Sequence, residues 1–169
     1  MDITLETIVI SVLIILTGLS AGLCFTWTNA ITPGIGRLDD PGYLMSFQQM
    51  NRTIINPLFF LVFFGPSILG LICLYWSKGS PGTLMWLLVL ATAVYFFGVV
   101  LVTIFGNVPL NEMLDKVDLN MASPEKLGQL RESFELKWNR LHLIRTITSV
   151  ISFLFLLLAL IQAAKNSIQ

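Results

Sequence analysis

The sequence predicts an all-α integral membrane protein, an up-down four-helix bundle in which helices 2 and 4 extend beyond the bilayer on one side. Of the 169 residues, 55% are hydrophobic and 12% are charged, whereas soluble domains carry about 25% charged residues. Four apolar runs reach the roughly 20 residues that a helix needs to cross a bilayer. These spans are predicted at residues 7–27, 57–76, 83–105 and 143–163, in a single domain covering residues 1–169.

The first two connections support this order of spans. The first apolar run, residues 8–27, follows a segment without Lys or Arg and is longer than the 7–15 residues typical of a signal-peptide core. We therefore expect a retained first span. Residues 77–82 read Ser-Lys-Gly-Ser-Pro-Gly, a turn signal that makes the second and third spans antiparallel neighbours.

Basic residues indicate the orientation of the bundle. With four spans both termini lie on one side, and the connections 28–56 and 106–142 lie on the other. The long connections and the adjacent helix mouth hold eight basic residues: Arg37, Arg52, Lys116, Lys126, Arg131, Lys137, Arg140 and Arg145. The opposite side holds Lys78 and Lys165. This bias predicts cytoplasmic long connections in a multi-pass protein of the bacterial inner membrane.

Both long connections carry helix-start signals. Asp40-Pro41 resembles an N-cap followed by a helix, which either continues past Pro57 with a kink or stops, with Asn56 capping a new helix. Ser123-Pro124-Glu125 starts a second helix, and its pattern runs unbroken through the fourth span. Such a helix of about 40 residues would be about 60 Å long and would protrude from the membrane.

The fourth helix carries a polar stripe where it enters the membrane. Glu135, Asn139, His142, Thr146 and Ser149 share one face at helical spacing, and Trp138 and Arg145 flank it. The stripe should therefore face the bundle axis, because buried ionisable groups are costly in lipid. Arg145 then needs an acceptor, such as Glu112, Glu135 or an amide oxygen.

The first span has a weaker polar face, and both cysteines lie in apolar spans. Thr17, Ser20, Cys24 and Thr28 share one side of the first helix, where small residues favour close helix packing. Cys24 and Cys73 are interpreted as apolar fillers, without a disulfide or a zinc site.

Polar ends of three spans should meet on the side of the long connections. A neutral imidazole can accept a proton near pH 7, and Arg and amide N–H groups can stabilise the resulting anion. Trp27, Trp138 and Phe25 could hold a flat apolar substrate arriving from lipid. The catalytic candidates are His142, Arg145, Asn51 and Asn107, and the substrate-binding candidates are Trp27, Gln48, Asn56, Asn111, Trp138 and Asn139.

Each candidate also has a structural interpretation. Asn56 and Asn107 precede or adjoin prolines and could simply cap helices, and Trp27 and Trp138 could be interfacial belt residues. His142 could be a hydrogen-bonded structural residue.

Several segments together resemble the anthrone-oxygenase-like family of small four-span membrane proteins. They are residues 18–25 (Gly-Leu-Ser-Ala-Gly-Leu-Cys-Phe), 32–35 (Thr-Pro-Gly-Ile), 48–57 (Gln-Gln-Met-Asn-Arg-Thr-Ile-Ile-Asn-Pro), 107–111 (Asn-Val-Pro-Leu-Asn) and Trp138-Asn139 with His142 and Arg145-Thr146. The resemblance implies oxidation of a hydrophobic aromatic substrate, such as a polyketide anthrone, by O₂ without a metal or organic cofactor. The expected partners are membrane lipid, such a small molecule and O₂. The zero net charge gives no support for nucleic acid as a partner, and the oligomeric state is left open.

Two other interpretations remain open at this point. The protein could be a non-catalytic four-helix helper or carrier whose polar cluster is structural, or His142 could hold a haem or a metal. A pocket of roughly 300 Å³ or more lined by His142, Arg145 and asparagines would favour the substrate-binding interpretation. A dry cluster in which all polar groups satisfy one another would favour the structural interpretation.

Overall fold

The computed structural model describes residues 5–79 and 82–166, and these residues form five helices and no strand. We number them α1 (Leu5–Ile35), α2 (Asp40–Ile54), α3 (Pro57–Trp76), α4 (Gly82–Asp115) and α5 (Pro124–Asn166). All except α2 are long and apolar enough to cross a bilayer. The predicted class, an all-helical multi-pass membrane protein with four spans, is confirmed.

Two of the spanning helices contain π-helical segments. In α1 the segment is Trp27–Ile31, and in α4 there are two, Phe96–Leu101 and Thr103–Asn107. Through these segments α1 and α4 continue beyond residues 27 and 105, where their spans were predicted to end. A π segment holds more residues per turn than an α-helix, so the faces of α1 and α4 shift beyond it.

The chain breaks between α2 and α3. The side-chain oxygen of Asn56 accepts a hydrogen bond from the backbone N–H of Phe59 at 2.9 Å, and Pro57 begins α3. The alternative with a capped new helix is confirmed, and the continuous kinked helix is wrong. The N-cap of α2 is Asp39, one residue earlier than predicted, because its carboxylate accepts from Gly42 N–H at 3.0 Å.

Helix α5 contributes to both the membrane bundle and the part of the protein that protrudes from it. Its 43 residues span about 65 Å at 1.5 Å per residue, which confirms the predicted long helix. Within the bundle α5 packs mainly against α1 and α4. On its protruding part an aromatic core forms, where Tyr43 and Phe47 of α2 contact Phe134, and Phe47 also contacts Trp138.

Arg131 of α5 stabilises the connection between α1 and α2 through hydrogen bonds. Its guanidinium donates to the carbonyl oxygens of Gly36 and Leu38, both at 2.8 Å, and to the carboxylates of Asp40 at 3.1 Å and Glu135 at 2.7 Å. Glu135 is thereby engaged outside the bundle. Its predicted role as acceptor for Arg145 is wrong.

Tyr43 lies under the same guanidinium, which stands 4.5 Å from the centre of its ring. Burial raises the pKa of the Tyr43 phenol well above its ordinary value, and the negative charge of Glu135 adds to the shift, while Arg131 opposes it. The phenol therefore stays neutral and acts as a platform for the guanidinium.

Small residues and hydroxyl groups hold the spanning helices together. A Cβ atom on Gly98 would lie 2.5 Å from Thr148, and one on Gly70 would lie 2.6 Å from Thr92. These glycines therefore permit the close approach of α4 to α5 and of α3 to α4. At mid-bundle the Tyr95 hydroxyl donates to the carbonyl of Phe63 at 3.0 Å and lies 2.7 Å from the Ser20 hydroxyl.

Candidate functional site

A cavity of about 370 Å³ lies where all five helices approach one another near the long connections. Its inner wall is formed by buried residues of α1, α3 and α5: Cys24, Trp27, Phe63, Trp138, His142 and Arg145. Its outer rim is formed by exposed residues of α2, α3 and α4 and of the segments next to them: Arg52, Ile55, Phe60, Ile104, Val108, Glu112, Asp115 and Lys116. The predicted convergence of several helix ends on one cavity is therefore present.

His142 has a defined tautomer. Its Nε2 lies 3.0 Å from the backbone oxygen of Cys24, and a carbonyl can only accept, so Nε2 must carry the proton. The other ring nitrogen, Nδ1, is buried and has no hydrogen-bond partner. In the neutral ring this atom carries a free lone pair, as a general base requires.

Aromatic rings fix the position of the imidazole. The Trp138 indole stacks on it with ring centres 4.7 Å apart and planes at 13°. Trp27 lies 5.5 Å from Trp138 and 6.1 Å from His142 between ring centres. Both tryptophans are more than nine-tenths buried, so they belong to the cavity wall and are not interfacial belt residues.

Arg145 lies one turn further along α5 and is 8% exposed. Its Nε atom is buried without a partner, and within residues 5–79 and 82–166 no carboxylate forms an ion pair with it. Its guanidinium carbon lies 6.0 Å from the centre of the Phe63 ring. The guanidinium hydrogen-bonds the thiol sulfur of Cys24, whereas the expected acceptor, Glu112, Glu135 or an amide oxygen, is not found at Arg145.

Two predicted asparagines line the cavity. The side-chain oxygen of Asn111 accepts from the Trp138 indole N–H at 2.8 Å, which holds the indole plane against His142. Asn51 of α2 approaches from the opposite wall, and its amide nitrogen is buried without a partner. Asn51 therefore has an unused donor at the cavity.

Four predicted site residues do not line the cavity. Gln48 donates to the carbonyls of Leu114 and Val117 at 2.8 and 3.0 Å, so it joins α2 to the end of α4. Asn56 caps α3, as its structural interpretation predicted.

The other two are neighbours of Trp138, Asn107 through a hydrogen bond and Asn139 along the chain. Asn107 is fully buried and donates to the Trp138 carbonyl at 3.3 Å, while its own side-chain oxygen has no partner. Asn139 is partly buried, and its side-chain oxygen also has no partner. Two amide oxygens with no partner adjoin the tryptophan that covers His142.

Four phenylalanines of α3 form a wall of the cavity that sequence reasoning missed. Phe59, Phe60, Phe63 and Phe64 all line it, and Phe59 stacks on Phe63 with ring centres 5.3 Å apart. Their spacing of one turn directly after the Asn56 cap was a usable signal, because it places all four rings near the mouth of the span. Phe25, expected to hold substrate, is 55% exposed and lies outside the cavity lining.

Exposed apolar side chains of α3 and α4 line one side of the cavity. These helices touch where Gly70 meets Thr92, but towards the cavity the exposed side chains of Phe60 and Ile104 form its opposite edges. Both residues belong to helices that are long and apolar enough to cross a bilayer, so we expect this side of the cavity to face lipid.

A charged edge closes the end of the cavity nearest to water. There Arg52 of α2 pairs with Asp115 at the end of α4 at 2.7 Å. Beyond this pair lies a polar recess of about 610 Å³, which shares Arg52, Asp115 and Lys116 with the inner cavity. The ion pair therefore stands between an apolar chamber and a wet surface recess.

The described part of the chain, residues 5–79 and 82–166, offers no cluster of metal ligands. It contains no group of three or more His, Cys, Asp or Glu side chains that could hold a metal ion. Cys24 and Cys73 are buried free thiols, but the Cys24 thiol hydrogen-bonds the side chains of Ser149 and Arg145, so it is more than an apolar filler.

The fold and the cavity define a class of protein: a four-span membrane protein whose single histidine, together with an arginine that has no carboxylate partner, lines an aromatic chamber. The chain belongs to the anthrone oxygenase family, whose family model matches residues 59–155, more than half of its length. The match includes Asn107, Asn111, Trp138, His142 and Arg145, whereas the resembling segments in α1 and α2 lie outside it. Neither the curated proteins nor the solved structures compared with the chain gave a significant match.

Proposed function

We propose that this protein oxidises a hydrophobic aromatic molecule with O₂ in the chamber around His142. The observation that carries the proposal is a buried histidine whose Nδ1 has no partner, beside a guanidinium with no carboxylate partner, at the wall of a chamber of about 370 Å³. A flat aromatic carbon acid such as an anthrone suits this chamber, because its rings can pack against Phe59, Phe63 and Trp27.

The chemistry would begin with proton transfer. His142 Nδ1 accepts a proton from the acidic CH₂ carbon of the substrate, and the pair of electrons left behind delocalises as an enolate. Arg145 and the free amide N–H of Asn51 stabilise the negative oxygen. Asn107 is assigned a positioning role, because its amide donor is used by the Trp138 carbonyl.

The enolate then reduces O₂. One electron passes to O₂, and recombination of the two radicals forms a carbon–oxygen bond, which gives a hydroperoxide after protonation by His142. Loss of the remaining C–H proton breaks the O–O bond, and hydroxide leaves as water. The balance is R₂CH₂ + O₂ → R₂C=O + H₂O, with no further reductant required.

The main alternative is a carrier or helper with a structural polar cluster. That alternative expects the buried polar groups to satisfy one another. Buried atoms of the cavity-lining residues Asn51, His142 and Arg145 instead have no partner, and unpaired buried polar groups are costly unless they serve a ligand or a reaction. This favours a ligand-binding site over a purely structural cluster.

The test uses the protein in nanodiscs with a hydroxyanthrone as probe, measuring O₂ uptake and quinone absorbance together. We expect one O₂ consumed per quinone formed, and a loss of at least about 100-fold in rate for His142→Gln, the usual size of a general-base contribution. Trp86→Phe, on an exposed side chain, is the matched control and should keep full rate. A His142→Gln variant that turns over as fast as the parent would remove the base assignment, and a parent that binds the probe without turnover would support the carrier alternative.

We also retain the predicted orientation, with the long connections in the cytoplasm of a bacterium. Its support is the distribution of eight basic residues against two. In a bacterial host, a reporter that fluoresces only in the cytoplasm should be dark when fused after the last residue and bright when inserted after Asn120. The reverse pattern would overturn the orientation.

A further inference from the structure

The guanidinium of Arg145 is a buried cation whose counter-charge is missing from the described protein. Arg side chains remain charged at all physiological pH values, and a buried charge without a partner is strongly unfavourable. The three ion pairs formed among residues 5–79 and 82–166 involve Arg52 and Arg131 only. The charge of Arg145 is therefore left for something that enters the chamber.

Arg145 is placed to meet such a ligand. It lines the cavity beside His142, is more than nine-tenths buried and has an unused Nε donor. The two carboxylates that line the same cavity, Glu112 and Asp115, are exposed at the rim, and Asp115 pairs with Arg52. The inner end of the chamber is thus cationic and its outer end is mixed in charge.

We propose that the chamber binds a ligand that already carries an oxyanion, a carboxylate or an ionised phenol, with this oxyanion against Arg145. The ligand's apolar body would lie among the phenylalanines of α3 and reach the chamber from lipid between Phe60 and Ile104. The inference uses the chamber of the proposed function, but it does not require oxidation and also applies to a carrier. A neutral molecule of the same shape leaves the guanidinium unpaired and so binds more weakly.

The geometry also distinguishes arginine from other cations here. A planar guanidinium can present two parallel N–H groups to a carboxylate, whereas an ammonium group acts as a point charge. Arg145→Lys should therefore retain part of the preference for an anion, and Arg145→Met, which is similar in length but uncharged, should lose it.

The test compares two fluorescent ligands of one shape, an anthracene carboxylate and its hydroxymethyl analogue, in zwitterionic nanodiscs. Energy transfer from tryptophan reports binding, and replacing the exposed Trp76 and Trp86 by Phe leaves Trp27 and Trp138 of the cavity wall as donors. Empty nanodiscs give the partition background. We expect the carboxylate to bind at least about tenfold more tightly, the size expected for a charged hydrogen bond.

Substitutions at three positions show which residue causes the preference for the carboxylate over the hydroxymethyl ligand. Arg145→Met should abolish it, whereas Arg52→Gln at the rim should preserve it, and His142→Gln should preserve it even if turnover is lost. Equal affinity of the parent for the two ligands, or a preference that survives Arg145→Met, would overturn the proposal. The proposal would also be overturned if Arg52→Gln lost the preference for the carboxylate while Arg145→Met kept it, because the anion would then bind at the rim.

Two sources of the oxyanion can be separated in the same system. If an anionic phospholipid headgroup occupies the site, adding phosphatidylglycerol to the nanodisc should displace the carboxylate probe from the parent but leave Arg145→Met unchanged. If the ligand is a free aromatic acid, phosphatidylglycerol should not compete. Either result supports an oxyanion site at Arg145. Turnover by the His142→Gln variant is measured separately and tests the proposed oxidation.

Discussion

Replacing Gly98 by alanine should separate α4 from α5. An added Cβ atom would lie 2.5 Å from the Cβ and Cγ2 atoms of Thr148, whereas carbon atoms in contact are about 3.5–4.0 Å apart. The two helices must therefore move apart by about 1 Å or more. Overpacking of this kind costs about 1–3 kcal/mol, and the higher helix propensity of alanine offsets up to about 1 kcal/mol. We therefore expect Gly98→Ala to lower the free energy of unfolding by about 1–2 kcal/mol.

Other glycines provide a graded set of controls. A Cβ on Gly106 would meet only the flexible end of Leu141, at 2.9 Å, and one on Gly22 would meet nothing within 4 Å. Gly106→Ala should therefore cost less than Gly98→Ala, and Gly22→Ala should be neutral or stabilising. The assay is equilibrium unfolding in mixed detergent micelles, followed by tryptophan fluorescence.

A second substitution tests the cause. The three atoms nearest to the added Cβ all belong to the Thr148 side chain, so Thr148→Gly removes them together. The double variant should be more stable than the sum of the two single effects predicts. Equal stability of the Gly98→Ala and Gly22→Ala proteins, or strict additivity in the double variant, would refute the close-contact argument.

Three further predictions concern single polar contacts. Asn56→Ala removes the cap of α3 and should cost about 1 kcal/mol of stability in the same unfolding assay, while Asn56→Asp should retain most of it. Arg131→Met removes the hydrogen bonds that fasten the connection between α1 and α2, so amide exchange there should accelerate, whereas the exposed Arg37→Met should leave the exchange rate unchanged. Tyr95→Phe removes two mid-bundle hydrogen bonds, each worth about 0.6 kcal/mol on average in a membrane protein. Tyr95→Phe should therefore lower the free energy of unfolding by about 1 kcal/mol, whereas the exposed Tyr75→Phe should have no measurable effect.

Hydropathy and capping chemistry were sufficient to predict most of the fold. Each apolar run is long enough to be identified from composition alone, and Asn56-Pro57 and Ser123-Pro124 mark real helix starts. The continuation of α1 and α4 beyond their apolar runs could not be predicted in this way. It depends on π segments, whose hydrogen bonds leave no simple signature in a sequence.

The candidate site was predictable where one helix carries it. The helical spacing on α5 placed His142, Thr146 and Ser149 on the buried face, and the structure buries all three. The roles of the asparagines were harder to predict from the sequence, because they depend on contacts between helices. Asn111 lines the cavity while Asn107, one turn away, donates to the Trp138 carbonyl, a distinction set by packing rather than by residue type.

Because α4 contains two π segments, the shape of the chamber depends on the number of residues in this part of the helix. Each accommodates an additional residue within the rise of an ordinary turn, and one residue corresponds to about 100° of rotation in an α-helix. Deleting a single residue of the first π segment, Phe96–Leu101, would rotate the rest of α4 and move Asn111 away from the Trp138 indole without removing any side chain that lines the cavity. When related sequences are aligned, a gap placed in this stretch therefore predicts a differently shaped chamber, even where every other position agrees.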